Sequence, residues 1–215
     1  MALINLFYKH RYLIATGILT FALTVFVPDT AAKLFDGPVD RLPVAQRVAL
    51  REGNVTLTGE RGQYVGRILV NTDLDSAWQV LTDYENFEEF LPGVAESELM
   101  QSNGDRKIVQ QINQVKTLIF TTQARVRLAI SESYPQQIAF SFVEGDLDSL
   151  EGTWLLEPVS PHPSAPPDRV LITHQVNVEP NESLGKSIFY DIYESTLEKT
   201  LAAIGDEAEA RHLGK

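Results

Sequence analysis

The chain has 215 residues, of which 44% are hydrophobic and 22% are charged, and this composition excludes a disordered or collagen-like chain. With 18 Lys and Arg against 29 Asp and Glu, the formal net charge is −11; such a field repels phosphate backbones, so we expect no nucleic-acid partner. The chain contains no cysteine, which excludes disulfides, thiolate metal sites and cysteine nucleophiles.

The first 32 residues are typical of a targeting segment. Basic residues at 9–11 precede an uncharged, mostly apolar run over 12–27, and small residues follow at 30–32. This order indicates a secretory signal peptide. The alternative is an uncleaved N-terminal membrane anchor, although the run is shorter than the roughly 20 apolar residues of a spanning helix. Both interpretations predict export across the inner membrane, to the periplasm or the thylakoid lumen.

Residues 33–54 have no clear hydrophobic period and are predicted to be a linker to a domain over 55–209. Two β-rich runs, 55–58 and 64–70, flank a turn bounded by glycines, which predicts a hairpin.

Helical spacing of apolar residues over 74–81 predicts the first helix of the domain. Thr72 or Asp73 can cap this helix. Asp83 can cap a second short helix over about 84–90, which ends at Leu91-Pro92-Gly93.

From Val94 onward the hydrophobic period changes to two, which is typical of an antiparallel sheet with one solvent-exposed face. In the run 120–130 the even-numbered residues are mostly apolar, whereas Arg125 and Arg127 lie on the other face. We therefore expect the two arginines to point outward. Further strands are predicted over 108–115, 138–142, 152–157 and 170–178, and the proline-rich segment 160–168 predicts a loop.

The clearest helix prediction covers 182–207, followed by a short tail over 210–215. Its apolar stripe contains Ile188 and Ile192 and is widened by Tyr193. A helix of about 20 residues is about 30 Å long and can cross a whole sheet. The predicted fold class is therefore α+β, a curved antiparallel sheet wrapped around a long C-terminal helix, with two short helices after the first strands.

Three segments carry recognisable motifs: WQVLTDY at 78–84, FEEFLPGV at 87–94 and GDLDSLEGTWLLEP at 145–158. Together they resemble the START-like helix-grip (SRPBCC) superfamily, and within it the polyketide cyclase/dehydrase and coenzyme Q-binding, COQ10-type, branch, as in exported proteins of photosynthetic bacteria. The resemblance implies a hydrophobic pocket for a lipid, quinone, polyketide or isoprenoid-like molecule. In the quinone-binding branch it implies a carrier or chaperone.

No motif for a catalytic centre, a metal site or a bound cofactor is present, so we predict no catalytic residues, no metal and no cofactor. His174 is the one histidine on an apolar strand face; it could donate a hydrogen bond to a ligand carbonyl, or be a core histidine bonded to a neighbour. The predicted pocket-lining residues are Trp78, Phe87, Phe90, Gln111, Phe140, Phe142, Trp154, His174, Ile188, Ile192 and Tyr193.

These observations predict a binder or carrier of a neutral hydrophobic molecule, a prenylquinone or a similar isoprenoid lipid, that works near a membrane surface outside the cytoplasm. One alternative is a polyketide cyclase/dehydratase-like enzyme that uses His174 or Tyr193 as acid or base. The other is a scaffold partner of a membrane complex with an empty pocket. The sequence alone predicts no oligomeric state.

Overall fold

A computed structural model of the chain describes residues 37–116, 121–181 and 185–214. The predicted targeting segment over 1–32 lies outside these residues. Among the described residues, no helix is both long enough and apolar enough to cross a bilayer.

The described part contains one antiparallel sheet and four α-helices. The strands are β1 (Thr56–Glu60), β2 (Gln63–Val70), β3 (Val94–Asn103), β4 (Arg106–Lys116), β5 (Thr121–Ser133), β6 (Gln137–Gly145), β7 (Leu147–Val159) and β8 (Arg169–Pro180). The helices are α1 (Val44–Arg51), α2 (Leu74–Leu81), α3 (Phe87–Phe90), which follows a 3-10 turn at Tyr84–Asn86, and α4 (Lys186–Leu213). The strand order is β1-β2-β8-β7-β6-β5-β4-β3. This is the α+β helix-grip arrangement that the sequence predicts.

Local sequence explains the turn of the first hairpin and the start of α2. The β1–β2 hairpin turns at Arg61 and Gly62, whose φ angles of 52° and 91° are those of a tight type I′ turn. Asp73 caps α2, because its carboxylate accepts a hydrogen bond of 2.7 Å from the Ser76 backbone N–H. Thr72, the other predicted cap, instead donates from its hydroxyl to the Ala208 carbonyl.

The inner face of β5 carries Val126, Leu128 and Ile130, all of which are buried. Arg127 lies on the opposite face, where its guanidinium contacts Glu144 at 2.5 Å and Gln110 at 2.9 Å. Arg125 is exposed on the same outer face. The expectation that both arginines point outward is therefore confirmed.

The structure corrects the predicted linker over 33–54, because the part of it that is described, from residue 37 onward, contains α1 and packs on the outer face of the sheet. Leu50 and Val39 are buried there against Leu69, Val159 and Leu171. Strands β2 and β8 are consequently covered on both faces. The continuous apolar runs at 68–70 and 170–172 are the sequence signal for such double burial.

The structure also shifts both ends of the C-terminal helix. Helix α4 begins at Lys186 rather than 182 and extends to Leu213, so most of the predicted tail over 210–215 is helical. Arg211 contacts Asp83 at 2.8 Å and His212 contacts Asp73 at 2.9 Å. These contacts hold the last turn of α4 to the region of α2.

Candidate functional site

A cavity of about 480 Å³ lies between the inner face of the sheet, the loop after α3 and the N-terminal half of α4. It exists because the two halves of α4 pack differently. In the C-terminal half, Leu201 and Ile204 are buried in the core, and only Ile204 of the two also reaches the cavity wall. In the N-terminal half, Ile192 and Thr196 line the cavity, and Ile188 is 64% exposed at its rim.

Two glycines allow the C-terminal half of α4 to approach the sheet closely. A Cβ at Gly66 of β2 would lie 2.3 Å from Leu201 Cδ1, and a Cβ at Gly205 of α4 would lie 2.6 Å from Ile68 Cδ1. Side chains at these positions would separate helix from sheet. The helix therefore closes one end of the space and leaves the other end open.

The cavity wall is almost entirely apolar. Its aliphatic part comes from β4, β5, β6, β7 and α4, and its aromatic part includes Phe87, Phe140, Trp154 and Phe189. The polar side chains on the wall are those of Tyr84, Gln111, Asn113, His174, Tyr193, Thr196 and Thr200. All of them are uncharged at neutral pH when the His174 ring is neutral. No Asp, Glu, Lys or Arg is among the described residues that line the cavity.

Most of the pocket residues named from the sequence meet on this wall, namely Phe87, Gln111, Phe140, Trp154, His174, Ile188, Ile192 and Tyr193. Three do not, which corrects the sequence analysis. Trp78 is buried in the core, with its ring edge-on to Tyr134 at 5.3 Å. Phe90 lies edge-on to Phe87 and beneath the guanidinium of Arg211, and Phe142 packs against the core outside the cavity wall.

His174 lies in the row Trp154–His174–Gly66 across β7, β8 and β2. Its imidazole stacks on the Trp154 ring, with the two ring centroids 3.8 Å apart, and more distantly on Phe140 at 5.6 Å. Burial, which disfavours the charged form, lowers the pKa of His174 from 6.5 to about 3, although the backbone of Thr153 partly opposes this shift. The ring is therefore neutral at physiological pH.

The hydrogen bonding of this ring is incomplete. Nδ1 of His174 is fully buried and makes no hydrogen bond of good geometry within the described residues. A buried polar atom without a partner costs about 1–3 kcal/mol.

Tyr193 reaches the cavity from α4. Its ring stacks on Tyr64 of β2 at 5.9 Å and on Phe189 at 5.7 Å. Burial raises the pKa of the Tyr193 hydroxyl, and the nearby Tyr64 raises it further. The hydroxyl is therefore protonated at neutral pH and able to donate a hydrogen bond.

The sequence analysis missed a buried polar cluster beside the cavity. The Tyr84 hydroxyl donates to Glu132 Oε1 at 2.8 Å, and Lys107 Nζ lies 3.4 Å from Glu132 Oε2. The Glu132 and Lys107 side chains are only 14% and 15% exposed. Glu132 lies two residues after Ile130 on the inner face of β5, and Lys107 lies two residues before Val109 on the inner face of β4. Extending the period-two pattern to these charged positions would therefore have found both residues.

The arrangement of polar groups suits binding better than proton transfer. His174 is a weak base when buried, Tyr193 is a weak acid, and the Tyr84 hydroxyl already donates to Glu132. Within the described residues, no group of three His, Asp or Glu side chains is placed to hold a metal ion.

Comparisons with known proteins agree with this geometry. A search of curated proteins found no match. Among solved structures, a STAR-related lipid transfer protein from Xanthomonas axonopodis is similar to 72% of this chain and 92% of its own, with a TM-score of 0.57 and 18% identity. The Zhui aromatase/cyclase from Streptomyces sp. R1128 is similar over 74% of this chain and 96% of its own, with a TM-score of 0.55 and 16% identity.

The lipid transfer and protein localization domain of human StarD13 is similar over 72% of this chain and 84% of its own, with a TM-score of 0.53 and 11% identity. At such identities these likenesses show the fold alone. The model of one family, described as polyketide cyclase / dehydrase and lipid transport, matches residues 70–204, which is more than half of the chain. The chain therefore belongs to the polyketide cyclase/dehydrase and lipid transport family.

Proposed function

We propose that this protein binds and carries a neutral, hydrophobic small molecule in the cavity between the sheet and α4. The observation that carries the proposal is the cavity wall, whose described residues include no Asp, Glu, Lys or Arg. An unpaired charge in such surroundings costs far more than a hydrogen-bonded polar group. The chain's net charge of −11 further disfavours anionic ligands.

The ligand class that we propose is a prenylquinone or a similar isoprenoid lipid. A cavity of about 480 Å³ is within the usual range for small-molecule sites and has room for a ring with a short chain. The aromatic rings of Phe140 and Trp154 offer stacking surfaces for a flat head group. A longer isoprenoid tail would leave at the open rim beside Ile188.

We further propose that the protein works outside the cytoplasm at a membrane surface. The support is the basic flank and apolar run over 9–27, which is typical of an export signal or an anchor. A carrier of a water-insoluble molecule must also meet the membrane from which it collects its ligand.

An enzymatic role is the second candidate, because His174 and Tyr193 lie on the wall of the same cavity. Burial weakens His174 as a base and Tyr193 as an acid, which favours the carrier. Turnover of a polyketide-like substrate that is lost in both His174→Ala and Tyr193→Phe would establish the enzyme instead.

Native mass spectrometry of the protein purified from its own source tests the carrier directly. A bound neutral lipid supports the proposal, and a repeatedly empty cavity favours the scaffold alternative. Calorimetric titration with a short-chain quinone and with a fatty acid of equal length, at neutral pH and fixed salt, then tests the ligand class. Tighter binding of the fatty acid would contradict it.

A matched pair of variants locates the site in the same titration. Ile192→Trp fills the cavity and should abolish quinone binding. Val48→Trp places the same side chain on the exposed face of α1 and should leave binding unchanged. Equal binding by both variants would place the ligand elsewhere.

A further inference from the structure

Two carboxamide side chains interrupt the apolar wall of the cavity on the inner face of β4. Gln111 and Asn113 both line the cavity, and each is half-buried. Because they lie two residues apart on one strand, their side chains leave the same face of the sheet roughly 7 Å apart. Asn113 pairs with Val94, beside the loop after α3, and Gln111 lies between Asn113 and the buried Val109.

The protein itself does not satisfy these carboxamides. Within the described residues, the side chains of Gln111 and Asn113 form no hydrogen bond with each other or with any other group. Ser97 lies opposite Gln111 on β3, but its hydroxyl is fully buried and also has no described partner. The amide atoms of Gln111 and Asn113, unlike that hydroxyl, are not fully buried, and the space beside them is the cavity.

The neighbouring strands leave room in front of the two carboxamides. Asn113 pairs with Ala124 of β5, and Gln111 pairs with Val126, which pairs in turn with Gly145 of β6. Ala124 and Val126 also line the cavity. Because these side chains are small, a flat ring can lie over β5 with one edge against the carboxamides.

A carboxamide presents both kinds of hydrogen-bonding group. Its NH2 group donates and its oxygen accepts, and rotation about the last side-chain torsion exchanges their positions. A ligand oxygen in front of it can therefore be a carbonyl, which accepts from the NH2 group, or a hydroxyl, which donates to the amide oxygen. A hydrocarbon would displace water from both amides and replace none of the lost hydrogen bonds, so the pair disfavours purely apolar ligands.

We propose that Gln111 and Asn113 bind the two oxygens of a ring that carries one oxygen at each end, a para-quinone or the corresponding hydroquinone. The line between the two oxygens then runs along β4, and each carboxamide binds one of them. Because a carboxamide accommodates a carbonyl or a hydroxyl, the site binds the oxidised and the reduced ligand with similar affinity. The inference rests on the proposed function and adds to it the head-group site and the indifference to redox state.

Calorimetric titration of the full chain with three probes of one shape tests this site. The probes are decyltrimethyl-para-benzoquinone, the hydroquinone made from it by reduction, and decyltrimethylbenzene, which has the same ring without oxygens. We expect the dissociation constants of the quinone and the hydroquinone to agree within about threefold, because each forms two hydrogen bonds. Failure of both to bind would overturn the proposed function itself, whereas binding of both with affinities more than about tenfold apart would overturn only the inference.

Matched variants assign the effect to the two carboxamides. Gln111→Met and Asn113→Leu each replace a carboxamide with an apolar side chain of similar size, so each should weaken quinone and hydroquinone binding about tenfold and should not weaken binding of the hydrocarbon. Gln114→Met makes the same change on the outer face of β4, away from the cavity wall, and should change no affinity. Unchanged quinone binding in Gln111→Met and Asn113→Leu, or an equal loss for the hydrocarbon, would overturn the inference.

Infrared difference spectra of the bound quinone give a readout that a merely structural role would not change. Carbon-13 at one carbonyl separates the two C=O stretches of the probe. In the complex both stretches should lie at lower frequency than in a hydrocarbon solvent, because each carbonyl accepts a hydrogen bond. In Asn113→Leu only one of them should return towards the solvent value. A carbonyl that keeps its solvent frequency in the wild-type complex would overturn the paired contact.

Discussion

The Glu132 carboxylate is stabilised beside the cavity by two neighbours, the Tyr84 hydroxyl and the Lys107 ammonium. Tyr84→Phe removes one hydrogen bond to a shielded carboxylate. We expect a loss of about 1–3 kcal/mol in the free energy of unfolding, because hydrogen bonds to charged groups are stronger than neutral ones. Chemical denaturation measures this loss.

Tyr134 provides the matched control for this substitution. Its hydroxyl also donates to a carboxylate, that of Asp75 at 2.7 Å, but the residue is 66% exposed. Tyr134→Phe should therefore change stability little, since water replaces the lost partner. Equal effects of the two substitutions would show that burial does not strengthen the Tyr84–Glu132 bond.

The neutral state of His174 makes stability depend on pH in a defined window. The unfolded chain binds this proton below about pH 6.5, whereas the folded chain binds it only near pH 3. The contribution of the neutral His174 ring to the free energy of unfolding is therefore complete above pH 6.5. It is lost as the pH falls from 6.5 towards 3. The other titratable groups on the wall, Tyr84 and Tyr193, have raised pKa values and do not titrate there.

Unfolding curves between pH 7 and pH 4 check this dependence. On acidification, the free energy of unfolding of the wild type should decline more steeply than that of His174→Phe. The variant has no imidazole at this position to take up a proton when the chain unfolds. The difference between the two curves isolates His174 from the carboxylates, which both proteins share. Parallel curves would contradict a buried neutral histidine.

At the scale of elements, α4 performs different tasks along its length. Leu201, fully buried over Gly66, belongs to the packed half. Ile192, half-buried on the cavity wall, belongs to the open half. The same helix therefore stabilises the fold at one end and shapes the ligand site at the other.

Alanine substitutions in the two halves should separate stability from binding. Leu201→Ala leaves a hole in close packing and should cost about 2–5 kcal/mol. Ile192→Ala enlarges an existing cavity. The melting temperature of this variant should therefore fall less than that of Leu201→Ala, whereas its affinity for the bound lipid should fall more. Thermal melts and calorimetric titrations of both variants measure this contrast. A large drop in melting temperature for Ile192→Ala with unchanged affinity would show that Ile192 is an ordinary core residue.

At the scale of the whole molecule, the segment from 37 to 51 covers part of the outer sheet face. Leu50 and Val39 bury Leu69 and Leu171 on that side. A chain that begins at Lys33 keeps this cover and should unfold as one cooperative unit. A chain that begins at Val55, the start of the domain predicted from the sequence, exposes the patch and should be less stable by about 3 kcal/mol or more.

Comparing the unfolding midpoints of the two truncated chains tests the role of the cover. Leu50→Ala in the longer chain should reproduce part of the loss, and Val48→Ala, on the exposed side of the same helix, should not. Equal stability of the two truncated chains would restore the interpretation of 33–54 as a linker.

The sequence by itself determined the fold class and most of the strands and helices, though not α1 or β3, because alternation in β5 and the apolar stripe of α4 record which face of each element is buried. The outward direction of Arg125 and Arg127 follows from the same alternation. Such periods identify a buried face but not what covers it.

Only the tertiary structure decided what covers each face. Phe140 and Trp154 line the cavity whereas Phe142 and Trp78 pack elsewhere, although all four are aromatic residues on apolar faces. The distinction arises where α4 separates from the sheet, and the glycines that set this separation, Gly66 and Gly205, lie 139 positions apart in the chain.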